Sequence, residues 1–324
     1  MGSGSWVRQL YQIGMVRRID RWLHAMPHPS LVVEIASDHV AAARCSVSGR
    51  LESGAVEPMP AGSVAPSPLE VNITNRDAVR SALRVVFSRV PPHGTPLALL
   101  LPDPVVRVFI LPFESLPRRQ DEAVQLLRWR LKKSVPFDVD ETVVSWMRQG
   151  GREGNLEVVT AVARQRIIRE YEEIVESLGG HAGVVLSSTL ASLPLLEEHG
   201  ATLLVRLCGK ILTTVIVQDT NVCVYRSTEM PAEAELLEPQ AVLEEVFPAV
   251  AYHQDTWGGS IDRARLAGFA GREDVFQRAV SAELKVRAGS MAEAEGAQGL
   301  DRSAKDLIPN GLDALAGWMM NGGS

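Results

Sequence analysis

The chain has 324 residues, 46% of them hydrophobic, 22% charged and 5% aromatic, an ordinary composition for a globular protein with a real core. Its 33 Lys and Arg against 39 Asp and Glu leave a formal charge of -6, which excludes a global cationic field that would collect nucleic acid. No stretch approaches the roughly 20 apolar residues of a membrane span. The longest apolar runs, Leu97 to Leu101 and Ile211 to Val217, read as buried strands. Charges in the first 22 residues stand where a signal peptide needs its apolar stretch, so the expected compartment is the cytosol. Cys45, Cys208 and Cys223 include no CxxC pair, which argues against a disulfide framework or a cysteine zinc site and reads as three buried small hydrophobes.

In chain order, Leu31 to Ala36, Val40 to Val47 and Leu51 to Val56 are short β-type runs separated by turn residues, predicting a three-stranded meander. Pro58, Pro60, Pro66 and Pro68 force a loop. Thr74 or Asn75 then caps a helix running to about Val90, and Leu97 to Leu101 supplies a fourth strand ending at Pro102-Asp103-Pro104. A change of pattern follows: a strand over Val105 to Leu111, a helix over Leu116 to Lys133 stopped by Pro136, a hairpin over Val143 to Met147 and Leu156 to Ala163, and a helix over Gln165 to Leu178. After a short helical segment at Ser188 to Glu198, a second meander occupies Thr202 to Leu207, Ile211 to Gln218 and Val222 to Arg226. A helix from about Pro239 to Asp255, a strand Ala264 to Gly268, a helix from about Arg272 to Leu284 and a last helix near Pro309 complete the chain. The Ala/Glu/Gly-rich run Ala288 to Gly299 reads as a loop or frayed helix. Two meanders, each followed by helix and strand, form an internal repeat.

That duplicated meander, together with Arg128 to Trp146 (RWRLKKSVPFDVDETVVSW), Val108-Phe109-Ile110-Leu111-Pro112 and the Val159 to Arg164 strand leading into Ile168-Arg169-Glu170-Tyr171, resembles the actin-like ATPases, in the branch that includes FtsA and the pilus protein PilM. The resemblance spans about Ser30 to Met320. It implies an α/β, actin-like (ribonuclease H-like) duplicated fold with a small inserted α+β domain. The expected division is a basic amphipathic helix over 1–27, a first half over 28–104 and 186–199, an insert over 105–185, and a second half over 200–320.

Members of this fold hold nucleotide between two hairpins, each carrying an Asp, a Gly two residues on, and a Ser or Thr. The Asp organises magnesium and its waters, and the Gly admits backbone amides to the phosphates. Here the first hairpin reads Glu34-Ile35-Ala36-Ser37-Asp38-His39 and the second Arg206-Leu207-Cys208-Gly209-Lys210. The adenine turn reads Gly268-Phe269-Ala270-Gly271, with a bulky Phe between its glycines. An arginine in place of a carboxylate inverts the charge a magnesium site needs. The expectation is therefore a degenerate pocket built from Glu34, Ala36, Ser37, Arg206, Cys208, Gly209, Gly268 and Gly271, without catalytic residues, metal or tightly bound ATP. In it Arg206 pairs with Glu34 and stands in for the lost metal. The competing reading keeps an active ATPase or nucleotide switch, with Glu34 and Ser37 substituting for the usual ligands.

GxxxxGK[ST], HExxH and GxSxG are absent, and consecutive Ser37-Asp38-His39 in a tight turn point apart and cannot form a catalytic triad. In the N-terminal segment, Met15, Val16, Ile19, Trp22, Leu23 and Met26 share one helical face and Arg17, Arg18 and Arg21 the other, a pattern that suits either an anionic membrane surface or a docked helix. A second basic cluster, Arg118, Arg119, Arg128, Arg130, Lys132 and Lys133, surrounds Trp129. Arg128, Trp129, Lys132 and Phe137 are the candidate partner-binding residues there, because Trp and Arg are favoured interface types. The resemblance implies a cytoplasmic scaffold of a type IV pilus machine, serving twitching motility at the inner membrane. Such a scaffold binds the cytoplasmic N-terminal tail of a PilN-like partner, links it to motor ATPase or platform proteins, and admits homo-oligomers and peripheral membrane contact. A type II secretion scaffold resembling GspL ranks below it, and a filament-forming actin last.

Overall fold

The computed structural model describes residues 28–151, 155–269 and 271–320, so the expected helix over 1–27 lies outside the described residues. In the first half the meander is β1 (Leu31–Ile35), β2 (His39–Cys45) and β3 (Leu51–Pro58), paired antiparallel. Helix α1 (Arg76–Arg89) starts where the Asn75 side chain accepts from Ala78 N at 3.0 Å, so Asn75 is the cap. Strand β4 (Leu97–Leu101) then returns parallel to β1.

The inserted sheet is β5 (Arg107–Phe113), β6 (Thr142–Gly150) and β7 (Leu156–Arg164) in the order β5-β7-β6, with α2 (Gln120–Leu131) against it through Ala123 and Leu127, joined by Leu116 from the segment before the helix. Helix α2 begins four residues later than the expected Leu116, because Pro117 disfavours a helical conformation at the residue before it. The expected insert over 105–185 is too long. Helix α3 (Gln165–Glu176) buries Ile167, Tyr171 and Ile174 with α1 against the first sheet, and β8 (Ala182–Ser187) pairs parallel with β4. The inserted unit is therefore residues 107–164, because β8 needs the hydrogen-bonding edge of β4 and α3 covers that sheet's outer face.

Helix α4 (Ser188–Ser192) leads into the second half: β9 (Ala201–Cys208), β10 (Ile211–Gln218), β11 (Asn221–Glu229), α5 (Pro239–Trp257), β12 (Arg263–Ala267), α6 (Glu273–Leu284) and β13 (Arg287–Ser290). The two large sheets, β3-β2-β1-β4-β8 and β11-β10-β9-β12-β13, repeat one topology. Strand β13 corrects the loop expected from Ala288 onward. Its four residues pair parallel with β12 through backbone bonds, which leave no apolar periodicity to read. Short α7 (Arg302–Lys305) and terminal α8 (Asp313–Met320) follow.

Because β1 and β4 are central strands, alternate residues face opposite sides and both sides are buried. Leu31 and Val33 join the outer core with α1 and α3, whereas Val32 joins the core shared with the second half. Helices α4 and α8 fill that shared core. Their crossing depends on Gly317, where a Cβ would sit 2.3 Å from Ala191 O. Buried Trp318 donates from Nε1 to Pro29 O at 3.1 Å and stacks on His28 at 4.4 Å, tying the last helix to the first described residues.

Candidate functional site

The repeat places Glu34 on β1 and Arg206 on β9 at corresponding ends of the two central strands, two residues before the hairpin turns. Both are buried, and Arg206 Nη2 lies 3.6 Å from Glu34 Oε1. The expected pair exists, and it is part of a larger cluster. Arg206 Nε donates to Asp313 Oδ2 at 2.7 Å, and its Nη1 lies 3.7 Å from Asp103 Oδ2. One guanidinium thus holds carboxylates from β1, from the turn after β4, and from the start of α8.

Hydroxyls complete the cluster. Ser188 Oγ donates to Glu34 Oε1 at 2.6 Å. Asp103 accepts from Thr189 N (2.9 Å), Tyr225 OH (3.0 Å), Thr189 Oγ1 (2.5 Å) and Thr213 Oγ1 (2.8 Å), which uses its lone pairs fully. Burial pushes the Glu34 carboxyl above its ordinary value, against the opposing pull of Arg206. The same desolvation, with Asp103 nearby, holds the Tyr225 hydroxyl well above the usual range and keeps it a hydrogen-bond donor. Cys208 is likewise driven upward by burial, so its thiol is not a nucleophile at neutral pH.

The hairpins themselves approach closely. Gly209 has φ +57, and a Cβ there would lie 2.6 Å from Ser37 Oγ. Buried Ala36 donates from its N to His39 O at 2.9 Å across the first turn, and Asp38 Oδ1 lies 2.8 Å from His39 Nδ1 outside it. The structure thus brings Glu34, Ser37, Arg206 and Gly209 together. Gly268, at φ +83, packs on the backbone of β9, where a Cβ would meet Leu207 O at 1.8 Å. Phe269 is buried in the second-half core, 4.3 Å from Phe276, and Gly271 at φ +75 has open space around it. Among the described residues no cluster of three or more His, Cys, Asp or Glu is arranged to hold a metal.

Asp103, Asp313, Ser188, Thr189, Thr213 and Tyr225 were missed by the sequence reading. The one available signal was Pro102-Asp103-Pro104, an acidic residue fixed between two prolines at the end of a fully buried strand.

A second feature is a groove of about 810 Å³ beside the cluster, lined by Pro66 to Pro68, Val106 to Phe109 and Tyr225 to Glu229. Its walls include β5 and β11, each the edge strand of its sheet. At the other end of β11 the buried Gln149 amide donates to Val222 O (2.7 Å) and accepts from Val222 N (3.0 Å), pinning the inserted unit to the second half. The Pro-rich lip is held by Glu170, whose carboxylate accepts from Asn72 N (3.0 Å) and Ile73 N (2.7 Å).

Of the other expected interaction residues, Arg17, Arg18, Arg21 and Trp22 lie outside the described residues. Arg128 turns inward and donates to Thr142 O at 2.8 Å, so it fastens α2 to β6 and is not a free contact. Phe137 is half-buried in a small apolar cluster with Leu131 and Val135. Trp129 is 70% exposed, and Lys132 is exposed beside it.

No protein-family model matches the sequence, and no curated protein matches it significantly. Among solved structures, the chain superimposes on the PilM-PilN type IV pilus biogenesis complex with a TM-score of 0.72 at 16% identity, over 92% of this chain and 100% of that one. Weaker likenesses are a Bacteroides thetaiotaomicron protein with actin-like ATPase fold (TM-score 0.46, 9% identity, 86% of this chain and 96% of that) and the cytoplasmic domain of EpsL, an inner-membrane component of the Vibrio cholerae type II secretion system (0.44, 12%, 73% and 81%). The chain has the PilM-like form of the actin-like ATPase fold.

Proposed function

We propose that this chain is a nucleotide-independent scaffold of a type IV pilus machine at the cytoplasmic face of the inner membrane. It receives the cytoplasmic tail of a PilN-like membrane protein and links it to the motor ATPase or platform. The observation that carries the reading is the groove between β5 and β11, two edge strands of different sheets that line one cavity. An extended tail fits such a site by adding backbone bonds to a strand edge and side chains to pockets beside Phe109 and Tyr225. Gln149 occupies the Val222 end of β11 and leaves the Tyr225 to Glu229 end for the tail. Among the described residues no helix is long and apolar enough to cross a membrane.

The residues present do not suit magnesium-ATP, and this supports a pseudo-ATPase. Arg206 occupies the position where the resemblance implies a metal-binding Asp, Asp103 has no lone pair to spare, and Ser37 closes against Gly209 where a phosphate chain would pass. Fluorescence anisotropy with the labelled tail of the PilN-like protein from the same cell tests the scaffold reading. Saturable binding that Phe109→Ala weakens is expected, and no binding at low salt would refute it. Calorimetric titration with magnesium-ATP should give no heat of binding, and micromolar affinity would refute the pseudo-ATPase.

A further inference from the structure

On α2 the buried residues Ala123, Leu127 and Leu131 face the inserted sheet. At about 100° per residue the opposite pole of the helix falls at Trp129, with Lys132 and Lys133 to either side. Trp129 is 70% exposed, and Arg130, Lys132 and Lys133 are all exposed. Nearer the N-terminus of the helix, Asp121 is neutralised by Arg119 at 2.8 Å. The three cations of the C-terminal turn have no ion-pair partner among the described residues. Of the acidic residues in the turn packed on α2, Glu141 pairs with Arg164, and Asp138 and Asp140 form no ion pair with these cations. The end of α2 thus presents three cations outside any ion pair with one indole projecting beside them.

We infer that this end of α2 is a contact for an anionic lipid surface, the indole of Trp129 entering the headgroup layer while Arg130, Lys132 and Lys133 meet lipid phosphates. The composition decides between lipid and protein. A stable protein interface covers about 800 Å² per partner around an apolar centre depleted in lysine. Here one indole is flanked by two lysines, and the rest of that helix face is Glu122 and Gln125. Tryptophan beside basic residues is the arrangement that sits at a membrane-water boundary. The inference is independent of the tail-binding reading.

The test is flotation of the full-length chain with vesicles of phosphatidylethanolamine and phosphatidylglycerol, against vesicles of phosphatidylcholine alone, at low and high salt. Binding to the anionic vesicles only, weakened by salt, is expected. Together Arg130→Glu, Lys132→Glu and Lys133→Glu should lower it on the order of a hundredfold, since each cation near an anionic surface contributes roughly fivefold. Trp129→Ala should lower it about tenfold or more, and brominated lipid should quench the wild type more than Trp129→Phe. All four side chains are exposed, so circular dichroism and tail binding should match the wild type. Three results would overturn the assignment: no binding of the wild type at low salt; undiminished binding of the triple variant, which would put the contact elsewhere, residues 1–27 included; or displacement from vesicles by a polyglutamate peptide that binds more tightly than lipid, which would make the partner an acidic protein segment.

Discussion

Replacing Arg206 by Met removes the positive charge at the centre of the cluster while keeping a side chain of similar length. At an effective dielectric near 20, each guanidinium-carboxylate contact at the observed 2.7, 3.6 and 3.7 Å amounts to about 4 to 6 kcal/mol of gross attraction, offset by the several kcal/mol needed to bury the guanidinium. The net is small for the intact cluster. For the variant it is not, since three buried carboxylates keep their desolvation cost and repel one another. Removing one partner of a buried pair costs about 3–5 kcal/mol, and that is the loss expected for Arg206→Met near pH 8. The Glu34 pKa already lies above its ordinary value, and without Arg206 it rises further. A folded-state pKa above the unfolded value means that the contribution of this group is favourable below the unfolded pKa and is lost as pH rises. The deficit of the variant should therefore narrow as pH falls from 8 toward 5. Urea unfolding followed by circular dichroism at several pH values measures both effects, and adding Glu34→Gln to the variant should recover part of the loss at pH 8. A variant as stable as the wild type at pH 8, or a deficit that widens in mild acid, would refute the electrostatic account of the cluster.

Glu34→Gln alone should leave stability at neutral pH unchanged or raise it, because the folded chain favours the protonated carboxyl and an amide still accepts from Ser188. The difference from wild type should shrink in acid, and unfolding curves at two pH values decide it. Gln149→Leu strips partners from a buried N–H and C=O of Val222, a loss of about 2–6 kcal/mol at roughly 1–3 for each orphaned group. It should also speed amide exchange at Val222, and native-level protection there would contradict the pinning role. Gly317→Val should prevent normal folding, because its Cβ would lie 2.3 Å from Ala191 O in a crossing with no room to yield; soluble protein of wild-type melting temperature would disprove that packing. Glu170→Ala frees Asn72 N and Ile73 N from charge-assisted bonds and should weaken tail binding more than it lowers the melting temperature.

The two meanders were legible because central strands buried on both faces are continuous apolar runs, as in Leu97 to Leu101, and because turns are marked by glycine and polar residues. Helix α1 announced itself through Asn75, and α3 through the stripe Ile167, Tyr171 and Ile174. Strand β13 left no such mark, since its register comes from β12. The border of the inserted unit was misplaced for a related reason: a helix and a strand read the same whether they join the insert or return to the first sheet, and only the free edge of β4 decides.

At the site, the residues in the two hairpins stated the charge inversion, and the resemblance that aligns the hairpins raised the pairing of Arg206 with Glu34, which the structure shows. Residue types at those positions are a local property, which a sequence states outright. What only the tertiary structure decided is how that arginine is satisfied. Asp103 and Asp313 lie 103 and 107 positions away from it along the chain, and Tyr225 reaches the cluster from an edge strand. No periodicity or spacing encodes such contacts, because they arise where two sheets and the α4–α8 crossing converge. Tertiary structure likewise sets β5 and β11 across a groove from one another, and within the inserted unit the packing of α2 on its sheet turns Arg128 toward Thr142 O while leaving Trp129 exposed.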